Sequence, residues 1–223
     1  MHRRLLLLFL LFSSSSASTA ILWACSSDDQ SAPPEPDAGF PNREPFDSGS
    51  KTDAPTDAPA GPTYKARAAI TPTSLPDAGA PTGTLDLVQT GGNVHVTLTM
   101  MGATAGMHGV HIHDGTSCAD TTNDGAVVAA GAAGGHWDPG DAGAHGFPTS
   151  AVHHPGDFGN VTIAGDGTGT LTLDVTGFNV QADGGIFSAL GHAVIFHQGT
   201  DDGVTQPTGN AGTRAGCGLI QAQ

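Results

Sequence analysis

His111 and His113, then His136, His145 and His154 with Asp157, and finally His197 stand at intervals that suit two adjacent metal ions. Imidazole and carboxylate are among the donors that zinc and copper take from proteins. Competing nitrogen chemistry is scarce, because Lys65, Arg67 and Arg214 are the only fixed cations in residues 64–223. In Val110-His111-Ile112-His113 the two imidazoles are two residues apart, so on a strand both point to one face while Ile112 points inward. By itself this pattern also fits histidines on a sheet surface. His136, His145, His154 and Asp157 supply three imidazoles and one carboxylate, a closed tetrahedral zinc set. His111, His113, His197 and one shared histidine make an all-imidazole set that suits copper.

The elements that must position these residues are strands. Apolar and polar residues alternate through Leu85, Leu87, then Val94, Val96, Leu98, Met100, and again through Val161, Ile163 and Leu171, Leu173, Val175. That is the two-residue period of a half-buried sheet. Gly91-Gly92-Asn93, Asp166-Gly167 and Asp183-Gly184-Gly185 supply turns between the runs, and no stretch keeps a 3.6-residue period. An all-β antiparallel sandwich or barrel follows. The run Ala193 to His197 reads as another strand, with His197 on the face of Ala193 and Ile195. Between Asp114 and Asn160 the periodicity fails. A structureless connection of that length is rare unless something other than a core orders it. His136, His145 and His154, with Asp157 and Cys118, fall in it, so metal and a disulfide are expected to do so.

The amino terminus reads as an export signal over residues 1–24. His2, Arg3 and Arg4 precede the apolar run Leu5 to Phe12, which is too short to span a bilayer. Ser18-Thr19-Ala20 suits an ordinary signal peptidase, and Leu22-Trp23-Ala24-Cys25 resembles a bacterial lipobox that would make Cys25 a lipid anchor. Residues 25–62 follow as a tether. Ser26 to Pro62 holds eight of the fifteen prolines, a TDAP repeat, and only Phe40 and Phe46 as large apolar residues, so it cannot bury a core. A membrane spacer and a leader without a role are both compatible with it. The domain begins at residue 63. Cys118 and Cys217 form an even pair in an exported domain, which argues for one disulfide against two free thiols.

Four segments, Gly106 to His113, Gly135 to Pro139, His154 to Val161 and Gly209 to Gly218, agree in order and interval with one family. Over residues 63–223 the chain resembles the copper/zinc superoxide dismutases, with their Greek-key antiparallel barrel. The resemblance implies copper on His111, His113, His136 and His197, and zinc on His136, His145, His154 and Asp157, with His136 bridging. It implies that Asp201 links a copper histidine to a zinc histidine, that His108 is structural, and that Cys118 and Cys217 are disulfide-bonded. Two superoxide anions would become oxygen and hydrogen peroxide as copper alternates between its oxidation states, His136 returning a proton to product and Arg214 clamping the anion. No organic cofactor is needed. Arg214 has independent support: from residue 63 onward, thirteen acidic side chains accompany three basic ones, so a small anion needs a local cation.

That balance offers nothing to nucleic acid, and membrane contact is expected only through Cys25. The periplasm, or an outer membrane reached as a tethered lipoprotein, is the expected location; a homodimer is left open. The chain departs from better-known members in its short loop Asp202 to Gly209, which lacks lysine, so weakly steered capture is expected. His192 stands where some members have arginine. The rival reading is a non-catalytic periplasmic copper/zinc-binding or copper-delivery module on the same fold, against which Arg214 argues, because storage needs no lone cation beside the metal.

Overall fold

The computed structural model describes residues 61–74 and 79–223. The export signal, Cys25 and the tether up to residue 60 lie outside the described residues. Within them, no helix is long and apolar enough to cross a membrane.

Eight principal strands form two facing layers. In chain order they are β1 (Thr63–Pro72), β2 (Gly79–Thr90), β3 (Asn93–Ala103), β4 (Gly106–His113), β7 (Asp157–Ile163), β8 (Gly169–Val175), β9 (Ala193–His197) and β10 (Arg214–Leu219). Short strands β5 (Thr121–Asn123), β6 (Ala126–Val128) and β11 (Gln221–Ala222) complete the set. The spatial order β7-β4-β9-β10-β1-β2-β3-β8 is antiparallel throughout, and β7 touches β8, so the sheet almost closes on itself. The connections from β3 to β4, β7 to β8 and β8 to β9 cross between layers, as a Greek key requires. The expected all-β barrel is what forms.

Alternation decides which residues enter it. Leu85, Leu87, Val94, Val96, Leu98 and Met100 are fully buried, while the residues between them face water or the rim. From the opposite layer Val110, Ile112, Val161, Val194 and Phe196 meet them in one core. Full burial of such a side chain contributes about 1.5–3 kcal/mol, which is why a one-residue slip in register is strongly disfavoured. Cross-strand pairs fix the outer face: His95 lies opposite Asp174, with a 2.7 Å hydrogen bond, and Arg67 opposite Asp86.

The long connection after β4 departs from the irregular segment expected. It contains the β5–β6 hairpin and a single 3₁₀ turn at Gly131–Ala133, and β7 begins at Asp157, so the expected irregular stretch ends at Gly156 rather than Asn160. Alternation was invisible there because Thr121 to Ala126 is exposed on both sides. The Cys118–Cys217 disulfide ties this connection to β10, with Cα atoms 5.8 Å apart.

Candidate metal centre

β4 and β9 are neighbours in antiparallel register, placing His111 opposite Ile195 and His113 opposite Ala193. Their shared outer face carries both imidazoles, fully buried beneath the long connection. His197 ends β9, and its register partner on β10 is Arg214. His136 arrives from the connection and is fixed by backbone contacts: it bridges His113, and the Trp137 N–H donates to the Ile112 carbonyl at 2.9 Å. Trp137 is buried against the edge of Phe178 and acts as the anchor for that segment.

His111, His113, His136 and His197 each offer a ring nitrogen within 4.8 Å of the others. A second set at the same spacing comprises His136, His145, Asp157 and His111. His111 is thus within reach of both, but its Nε2 is bonded to Asp201 Oδ2 at 2.8 Å, leaving Nδ1 as its free donor. His154 belongs with the second set through Asp157: the Nδ1 atoms of His136, His145 and His154 lie 2.8, 3.0 and 3.1 Å from its two carboxylate oxygens. The His145 and His154 contacts are close without being aligned as hydrogen bonds. Four buried ring nitrogens are accordingly left without a partner, namely His111 Nδ1, His136 Nε2, His145 Nδ1 and His154 Nδ1. Buried polar atoms are rarely unpaired. Nitrogens of one chemistry converging from two sides on His136 fit two cations separated by one imidazole.

The surroundings set the tautomers. Asp201, completely buried, accepts from His111 Nε2 and from His145 Nε2, both at 2.8 Å, so each ring keeps its Nδ1 lone pair for a metal. Gly209 has φ +65°, and a Cβ there would lie 2.0 Å from Asp201 Oδ1, so only glycine lets the chain pass over this carboxylate. His113 Nδ1 donates to the Gly134 carbonyl at 3.0 Å and His197 Nδ1 to that of Gly212 at 3.1 Å. Their Nε2 atoms therefore face each other, 3.3 Å apart.

Burial pulls the His136 imidazole down to about 4, although its bond to Asp157 opposes this. Burial also holds His113 and His197 well below the ordinary histidine range, against the carbonyls of Gly134 and Gly212. Asp157 behaves oppositely: burial raises it, but the bond from His136 and the close His154 imidazole win and hold its carboxyl well below the usual range. At neutral pH His113, His136 and His197 are thus neutral imidazoles and Asp157 is an ionised carboxylate, the states that metal binding needs.

Arg214 is half-buried, and its guanidinium is clamped by two carbonyls, NH1 donating to Ala130 at 2.6 Å and NH2 to Gly134. The Gly134 carbonyl thus serves both His113 and Arg214. Burial lowers the guanidinium's pKa, but an arginine stays cationic.

Other histidines stay apart from the centre. His95 is on the outer face; His108 spans the carbonyls of His197 and Thr104; His153 bonds the His154 carbonyl; His192 bonds the Asp114 carbonyl and lies over Trp137. Met100 is core, whereas Met101 and Met107 are exposed. Two side chains escaped the sequence reading. Asn160 pairs with both main-chain groups of Asp201, at 2.8 Å each way, and Gln206 does the same for His145. Asn160 sits within a quoted motif; nothing in the spacing points to Gln206.

Residues 81–220 match the family described as copper/zinc superoxide dismutase (SODC). The chain is similar to a Cu-Zn superoxide dismutase of Photobacterium leiognathi, with 37% identity over 145 residues, covering 64% of this chain and 80% of that protein. It is also similar to one of Deinococcus radiodurans, with 34% identity over 151 residues, covering 66% and 81%. Among solved structures, the clock protein EA4 superposes with a TM-score of 0.58 and 26% identity, over 71% of this chain and 94% of that one.

Proposed function

Because the chain belongs to the copper/zinc superoxide dismutase family, we propose that His111, His113, His136 and His197 hold its copper and that His136, His145, His154 and Asp157 hold its zinc, His136 serving both. The protein is a superoxide dismutase using copper and zinc. What carries the residue assignment is the set of partnerless ring nitrogens: His136 directs Nδ1 to Asp157 and leaves Nε2 free towards the all-histidine side.

Copper supplies the one-electron exchange by which one superoxide is oxidised to oxygen and a second is reduced, with two protons, to hydrogen peroxide. The chain's own residues do the rest. Arg214 presents a fixed cation beside His197 and attracts the anion, its clamp on Ala130 and Gly134 removing the cost of orienting a long side chain. His136 Nε2 is buried and its ring is low in basicity, so a proton held there would be handed on readily. Asp201 keeps His111 and His145 in register with each other.

The test is metal analysis joined to a superoxide consumption assay, repeated on Arg214→Ala. Copper and zinc content should be unchanged while kcat/KM falls roughly tenfold to a hundredfold. A variant as active as wild type would remove Arg214 from anion capture, and a metal-loaded wild type that consumes no superoxide would point instead to a copper/zinc buffer or delivery module.

We further propose that residues 63–223 act outside the cytoplasm, tethered by residues 25–62 to a lipid on Cys25. The Cys118–Cys217 bond suits an oxidising compartment. Mass spectrometry of the mature amino terminus should find acylated Cys25; cleavage at another site would dismiss the anchor.

A further inference from the structure

We propose that Gln206 is a positioning residue for the zinc side of the centre, its carboxamide clipping the loop after β9 onto the main chain of His145. The inference rests on His145 being a zinc ligand. His145 lies in a connection without strand pairing, between Asp138 and Asp157. Among the described residues, its own N–H and carbonyl are bonded by Gln206 alone, the His145 N–H donating to Gln206 Oε1 at 2.7 Å and Gln206 Nε2 to the His145 carbonyl at 2.9 Å, while the next N–H, of Gly146, reaches Asp157 Oδ2 at 3.2 Å. A two-point contact fixes the direction of the peptide as well as its place, so the Cα–Cβ bond of His145 is aimed by Gln206 while Asp201 fixes the far end of the ring.

The loop that carries Gln206 is organised without this contact. Asp202 accepts from the N–H groups of Val204 and Thr205 and from the Thr205 hydroxyl, and Asp202 and Gly209 are joined by a backbone bond of 2.8 Å. Asn160 clips the same loop at Asp201 from β7 in the mirror arrangement. The zinc-bearing connection and the loop after β9 are therefore locked by two reciprocal carboxamide pairs, of which only the Gln206 pair reaches a ligand's own peptide. Deleting the Gln206 amide should free His145 without unfolding either loop.

The experiment measures zinc release from the metal-loaded full chain to a chromogenic chelator, with hydrogen exchange at the His145 amide followed in the metal-free protein. Gln206→Ala should release zinc on the order of tenfold faster and exchange the His145 amide faster, with copper retention unchanged. Thr205→Ala, which alters the same loop without touching His145, should match wild type. Should Gln206→Ala not fold, Gln206→Glu keeps the acceptor, loses the donor and should accelerate release likewise. Release within twofold of wild type, or equal acceleration in Thr205→Ala, overturns the proposal. His145→Ala separates the two readings: zinc retained there overturns the ligand assignment itself.

Discussion

Asp201 makes the chemistry of two imidazoles interdependent. Each oxygen of one buried carboxylate holds one Nε2–H, so His111 and His145 are forced into the same tautomer. Burial raises the Asp201 pKa, yet bonds from His111, the Gly203 N–H and His145 bring it below the ordinary value, keeping it an acceptor at working pH. Asp201→Asn retains the size and loses one acceptor, so one ring must turn or lose its partner. Zinc affinity in chelator competition should fall roughly tenfold to a hundredfold, with the fold intact by circular dichroism. Undiminished affinity would remove Asp201 from any role in positioning.

At the scale of elements, the adjacency of β4, β9 and β10 puts two histidines, a third histidine and an arginine side by side, and the long connection folds over them. That connection has little core of its own. Its anchors are Trp137, the pairing of His136 with His113, and the disulfide. Trp137→Ala should cost about 3–5 kcal/mol in denaturant unfolding of the metal-free protein, because a large buried ring leaves a cavity. Replacing Cys118 and Cys217 together by serine opens a separation of 99 residues and should cost up to about 4.7 kcal/mol. The same double variant frees the segment whose Ala130 and Gly134 carbonyls clamp Arg214. Its activity should therefore fall even where metal content is restored; full activity at full metal content would show the clamp to be independent of the disulfide.

Whole-molecule behaviour follows from charge. The chain has a net charge of −14, and its folded part relies on Arg214 for a cation at the site. With no lysine on the loop Asp202 to Gly209, kcat/KM should change only weakly as ionic strength rises. A steep fall with salt would reveal steering from elsewhere. Acid acts differently. His113, His136 and His197 are held below the ordinary histidine value by burial, so between about 6.5 and 4 the unfolded chain binds more protons than the folded one. Stability of the metal-free protein is then complete above that window and is lost as pH falls through it. His154, raised by Asp157, works the other way but is one group against three. Thermal unfolding of the metal-free protein should occur at lower temperature at pH 5 than at pH 7.5; a higher Tm at pH 5 would contradict the buried neutral state.

The sequence by itself determined the principal strands and singled out the residues proposed as ligands. Alternation at Leu85, Val94, Val161 and their neighbours is a local property of the chain, and burial on one face follows from it directly. Intervals such as His111 to His113, or His154 to Asp157, carry ligand geometry because they lie within a strand or a turn. What only the tertiary structure decided are contacts made by parts without such a period. The β5–β6 hairpin has no buried face to betray it. The carbonyls of Ala130 and Gly134 that clamp Arg214 are backbone atoms, which every residue type offers alike. Gln206 meets His145 across 61 residues, and only the fold brings them to hydrogen-bonding distance. Ligand identity is written in side-chain type; ligand aim is set by peptide groups whose partners the chain acquires on closing.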